Sequence, residues 1–149
     1  MEVGEAIFEG SRNGEANEVK ALLRRGGGSV KYRDQYGLTA LHAAAFKGHK
    51  DVMKVLIELA GLDLECEDEE GHVPLHMAVE SGDVETVVLV EKGVNLNVVD
   101  KRGATPFYMA TIWGHHDIVF LIKYSCQILG HVYDMIIVLL LRLWFHMPI

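Results

Sequence analysis

Apolar residues recur along this chain in short bursts at helical spacing, and glycines punctuate the bursts. Val52, Met53, Val55, Leu56 and Leu59 share one side of a helix, and so do Ile118, Val119, Leu121 and Ile122; that is the i, i+3, i+4 recurrence of an amphipathic helix. Each of these helices follows a shorter one dominated by small residues, Ala43 to Ala45 in one copy, Ala78 and Ala110 in others. Small side chains there let neighbouring helices approach closely. Gly48, Gly82 and Gly114 stand between the two helices of a pair, where glycine ends a helix by turning left-handed. After the second helix, Gly26, Gly61 and Gly93 release the chain into an extended turn rich in Asp, Glu and Asn. The pattern predicts antiparallel helix pairs at 5–13 with 17–24, 40–46 with 50–59, 74–80 with 84–91, and 106–112 with 116–122.

The bursts are copies of one motif. It reads GLTALHAAAFKGH from Gly37 to His49, GHVPLHMAVESGD from Gly71 to Asp83, and GATPFYMATIWGH from Gly103 to His115. With a fainter predecessor at Gly14, the closing glycines are spaced by 34, 34 and 32 residues. A period near 33 residues, built as turn, helix, helix, marks a stacked repeat architecture. Thr39 and Thr105 sit where an N-cap hydroxyl can accept orphan backbone N–H groups. Pro74 and Pro106 occupy the first helical position, where a missing N–H costs nothing. Neither helix of a unit can bury its apolar face alone, so the units must stack.

These residues make the chain resemble the ankyrin-repeat family, over roughly Glu5 to Tyr124. The resemblance implies an all-α ankyrin-repeat solenoid of helix-turn-helix units with projecting β-turn or hairpin loops. It divides the chain into a repeat domain over 1–125 and a divergent apolar tail over 126–149, read as a helical cap. The repeats are a degenerate first unit at 5–34, then 35–68, 69–100 and 101–125. Against the family's repeat, the helix from Gly48 to Gly61 carries one extra residue and the one from Gly82 to Gly93 lacks one. A deletion rotates every later residue of the helix by about 100°, at 3.6 residues per turn. The run Val87, Val88, Leu89, Val90 is left without a solvent-facing break, so this helix is expected to be distorted or shortened and its repeat the weakest. In the family, the histidine at His42 and His76 ties the N-cap threonine to the next turn. Tyr108 stands in that place in the last copy, which puts the tie in doubt there.

Composition narrows the function. Half of the 149 residues are hydrophobic, enough for a continuous core, and the net charge is −7. Asp63, Glu65, Glu67, Asp68, Glu69 and Glu70 crowd one turn. They form either a solvated tip or an acidic patch for a basic partner. Such acidity argues against sequence-independent nucleic-acid binding, which needs clustered Lys and Arg. Cys66 and Cys126 are expected as reduced thiols, and the acidic MEVGEAIFEG start has no apolar run of the signal-peptide kind. A cytoplasmic or nuclear location is the expectation.

No catalytic pattern emerges. His42 and His76 belong to the repeat, and His72 lies four residues from His76 without an HExxH context. His115, His116 and Asp117 form the best polar cluster, yet His115 repeats the position of His49. Gly26, Gly27, Gly28 and Ser29 lack the Lys-Ser/Thr of a phosphate loop. The expectation is a non-enzyme with no cofactor and no metal.

Binding remains. The resemblance implies that turn tips and the outer side of the first helices line a concave surface. There the variable positions are Phe46, Lys47, Glu80, Ser81, Ile112 and Trp113, with Tyr36, Lys101 and Arg102 at the tips. Trp113 and Phe46 are expected as anchors, since aromatics with nearby charge make up protein-binding hot spots. The reading is an adaptor or scaffold that binds a protein partner through this face. The alternatives are an adaptor tethered to a membrane by the apolar tail, and a substrate-selecting fragment of a larger regulatory enzyme. The tail from Cys126 to Ile149 itself has three readings. It is a helix from about 133 to 145 over the last repeat, a replacement of a lost continuation, or an anchor, and in each case a route to self-association. An anchor is disfavoured by Asp134 and Arg142, eight residues apart within a stretch that would need roughly 20 apolar residues to span.

Overall fold

The computed structural model describes residues 2–26, 30–91 and 94–127, and among them stand eight helices and no strand. They are α1 (Val3–Asn13), α2 (Ala16–Arg24), α3 (Ala40–Lys47), α4 (Lys50–Ala60), α5 (Pro74–Ser81), α6 (Val84–Glu91), α7 (Pro106–Ile112) and α8 (His116–Gln127). Each odd-numbered helix packs on the even-numbered helix that follows it. The odd helices stack in order as one layer, and the even helices stack in order as another. The expected tail helix over 133–145 lies outside the described residues.

Small and branched residues divide the work of the core. Ala44, Ala78 and Ala110, one in each of the last three repeats at the same register, are fully buried and keep the odd helices close. Leu41, Leu75, Met53, Leu56, Ile118 and Ile122 fill the space between layers with no more than 1% of their surface exposed. Burying a side chain of this size stabilises by about 1.5–3 kcal/mol. Because each unit touches only its neighbours, that stabilisation accumulates along the stack.

The turns are set by an Asp–Gly pair in every copy. The Oδ1 atom of Asp34 accepts the N–H groups of Tyr36 and Leu38, both at 2.9 Å. Asp68 does the same for Glu70 and His72, and Asp100 for Arg102 and Ala104. Successive turns then join: Glu69 N donates to Tyr36 O at 3.1 Å, and Lys101 N to Glu70 O at 2.9 Å. Histidines tie helices to these turns. His42 Nδ1 accepts from Thr39 N at 3.2 Å, while Nε2 donates to His72 O at 2.8 Å. His76 repeats the tie, from Val73 N at 3.1 Å to Ala104 O at 3.1 Å.

The departures are local. Helix α8 runs to Gln127, past the expected end at 122, because no glycine follows it where Gly61 follows α4. Helix α6 is described over Val84–Glu91, and the residues that follow it, where a shortening is expected to show, lie outside the described ones. Thr86 Oγ1 bonds Asp83 Oδ2 in its first turn, and Val87 and Val90 are fully buried. In the last repeat Thr105 still caps α7 by accepting Tyr108 N–H at 3.1 Å. The Tyr108 ring, 56% exposed, has left the buried place that His42 and His76 hold.

Candidate binding groove

Helices α1, α3 and α5 stand side by side, and the residues near their C-terminal ends share one register. With the turn at Asp34–Leu38 they enclose a groove of about 380 Å³. Phe8, Tyr36, Leu38, Ala43, Phe46 and Met77 make it apolar. Arg12, Asp34, Lys47 and Glu80 add charge at its edges. The volume lies in the range of ligand-binding clefts, about 300–1,000 Å³.

Each wall is held by something local. Asp34 fixes the turn and so places Tyr36, which is 61% exposed at its tip. Phe8 is buried against Tyr32, with ring centroids 5.5 Å apart. Phe46 remains 43% exposed, and Lys47 Nζ lies 5.7 Å from its ring centroid. Arg12 is engaged by Glu9 at 2.8 Å.

Of the residues expected on the concave surface, the groove brings together Tyr36, Phe46, Lys47 and Glu80. It does not include Ser81, Lys101, Arg102, Ile112 or Trp113. Ser81 is turned onto its own helix end, its Oγ donating to Ala78 O at 2.7 Å and accepting from Asp83 N at 3.2 Å. Lys101 and Arg102 are exposed on the third turn. Ile112 and Trp113 are exposed at the end of α7, with Trp113 the C-cap residue.

Phe8, Arg12 and Met77 do not stand out in the sequence, although register points to them. Phe8 is 34 residues before His42, Arg12 is 34 before Phe46, and Met77 is 34 after Ala43. The degenerate first unit hides this, since its turn motif is too faint to number from.

Outside the groove, the polar clusters work for the fold. Burial pushes the His42 and His76 imidazoles below their ordinary range, against the opposing pull of the carbonyls they bond. His72 bridges Asp68 Oδ2 at 3.1 Å and Asp100 Oδ2 at 3.2 Å across two turns. Burial opposes ionisation of Asp100, but the N–H groups of Ala104 and Arg102, with His72 and His76 near by, hold its carboxyl below the usual range. Burial raises the Cys66 thiol, despite Thr39 Oγ1 at 3.7 Å, and a raised thiol is a poor nucleophile. Lys50 and Glu85 link α4 to α6 through an exposed ion pair. His49 Nε2 meets Arg12 O at 3.1 Å, tying the second repeat to the first. Among the described residues no His, Cys, Asp or Glu group is arranged to hold a metal, and no helix is long and apolar enough to cross a membrane.

Comparison with known proteins agrees with this architecture. The family model for ankyrin repeats (3 copies) matches residues 6–68 and again 59–129. The chain is 33% identical over 88 residues to human BCL-6 corepressor-like protein 1, covering 58% of this chain and 5% of that protein. It is 37% identical over 79 residues to the neurogenic locus Notch protein of Drosophila melanogaster, 53% of this chain and 3% of that one. It is 50% identical over 46 residues to protein phosphatase 1 regulatory subunit 12A of Mus musculus, 31% of this chain and 4% of that one. The chain thus spans a small part of the length of the curated relatives it matches.

Proposed function

The chain belongs to the ankyrin-repeat family, and from that footing we propose that it binds a protein partner in the groove across α1, α3 and α5 as a non-catalytic adaptor. One observation carries the reading: three successive repeats and one turn tip together leave an apolar concavity that the scaffold does not fill. The core of each repeat is complete without Phe46 and Tyr36, so the stack gains little from their aromatic side chains. An exposed aromatic beside a concave apolar surface is the makeup of an interface anchor. Phe46 is the anchor in this reading and Tyr36 its neighbour across the groove, with Lys47 and Glu80 setting orientation. Ile112, Trp113, Lys101 and Arg102 belong to a partner only if it extends along the whole stack. The adaptor works in the cytoplasm or nucleus.

Affinity capture from cell extract tests this, comparing the wild-type chain with Phe46→Ala and Trp113→Ala by quantitative mass spectrometry. The expected result is a protein retained by wild type and Trp113→Ala and depleted by Phe46→Ala at unchanged helical content. Equal retention by all three would move the site out of the groove. A second reading, a substrate-selecting part of a larger regulator, is favoured by how small a share of each relative these repeats make up.

A further inference from the structure

We infer that the groove's partner is a basic linear peptide, presenting one large apolar side chain to Phe46 and an Arg or Lys beside it. The inference rests on the reading of the groove as the binding site and adds the chemistry of its occupant. Charge complementarity selects it. Around the apolar floor, Arg12 is already paired with Glu9 at 2.8 Å. At the neighbouring tip Arg33 lies outside the groove's lining, its guanidinium donating to Gly37 O at 2.8 Å and Glu67 O at 2.6 Å. Among the described residues, Lys47 is left as the one cation of the groove without such a partner, and it lies over the Phe46 ring.

The carboxylates are differently placed. Glu80 lines the groove and has no ion pair among the described residues. Glu69 and Glu70 sit on the turn bonded to Tyr36 O, exposed and likewise without an ion pair among those residues. In the lining itself Asp34 and Glu80 stand against Lys47 and the Glu9-paired Arg12, and Glu69 and Glu70 add negative charge on the adjoining turn. The exposed faces of Tyr36 and Phe46 add to the preference, because a guanidinium or ammonium within about 6 Å of an aromatic ring is attracted by it. A linear segment fits better than a flat domain surface, since the groove is a concavity of about 380 Å³ floored by side chains from three helices.

Selection from linear random peptides displayed on phage, against the intact 149-residue chain, reads the partner's chemistry directly. The inference expects enriched peptides that place Lys or Arg within a few residues of Leu, Phe, Tyr or Trp. Synthetic versions should lose binding to Phe46→Ala. They should weaken about tenfold or more on Glu80→Lys at low salt, and less at high salt, as screened charge pairs do. Exchanging the peptide's Arg for Glu should restore binding to Glu80→Lys. Should Phe46→Ala lose helical content, the groove-edge variant Glu80→Lys and its charge-swapped peptide decide alone. Acidic or uncharged peptides that still depend on Phe46 would overturn the basic partner and leave the groove standing. Peptides indifferent to both Phe46→Ala and Tyr36→Ala would overturn both, and no enrichment would overturn the linear peptide.

Discussion

The second and third repeats differ from the last at one register, and the difference separates a tied position from an untied one. His42 and His76 are fully buried, each spending both ring nitrogens on backbone of its own cap and of the next turn. Tyr108 holds the same register on α7 with its ring 56% exposed. The flanking glycines show the same contrast. A Cβ at Gly82 would meet the His115 ring at 2.7 Å, whereas at Gly114 nothing described lies within 4 Å. Helix α8 carries exposed Phe120 and Tyr124, at the register where α4 carries Lys54 and Glu58. Interior repeats are locked by polar ties that cross to the next unit, as His42 and His76 show, and Tyr108 makes no such tie among the described residues. Stability should therefore be concentrated toward the middle of the stack.

The largest expected contrast is in the core. Leu75→Ala, at a site with no exposure, should cost about 2–5 kcal/mol in urea unfolding. Phe120→Ala on the last repeat should stay within about 0.5 kcal/mol. If the two variants cost the same, the interior and end repeats are not distinguished as argued.

His76→Ala should come next. It strands the Val73 N–H and removes the tie to Ala104 O, which still accepts from Asp100 N at 3.0 Å, and leaving a buried polar group unpaired costs about 1–3 kcal/mol. Tyr108→Ala should change the unfolding midpoint little. The glycines sharpen the same point. Gly82→Ala and Gly114→Ala both force a left-handed φ, +76° and +72°, worth about 1–2 kcal/mol. Only Gly82→Ala also displaces the His115 ring, so it should be the costlier of the two.

The smallest effect is the pH dependence. His42 and His76 bind protons less readily folded than unfolded, so as pH falls below about 6.5 the unfolded chain gains protons first. Their contribution is complete above that pH and is lost progressively below it. A His42→Asn, His76→Asn double variant should be less stable at neutral pH and show a flatter decline between about pH 6.5 and 5. An unchanged slope would mean that other groups set the acid limb.

How much of this is legible in the sequence depends on how local each feature is. The helix pairs, the N-caps at Thr39 and Thr105 and the left-handed Gly48 and Gly82 are short-range matters, and spacing alone reveals them. The residue missing between Gly82 and Gly93 is legible too, because a gap in a periodic pattern shows directly. The groove is only half legible. Phe46, Lys47, Glu80 and Tyr36 stand out by register, but which variable positions share one cavity depends on how three helices sit together. Trp113 draws attention by its size, and its place at the end of α7 leaves it beyond the groove. Phe8 and Arg12 stay hidden because the first unit lacks a clear turn motif.

The central claim is that binding energy lies in the groove of the first three repeats and not at the end of the stack. Titrating the selected peptide, by isothermal calorimetry, into Phe46→Ala and into Trp113→Ala tests it most directly. Loss of a hot-spot aromatic costs about 2 kcal/mol or more, roughly thirtyfold in affinity. The account predicts that loss for Phe46→Ala, with Trp113→Ala within about threefold of wild type, since a contact outside the hot spot costs less than about 1 kcal/mol. The reverse order, with Trp113→Ala abolishing binding and Phe46→Ala leaving it intact, would contradict the account.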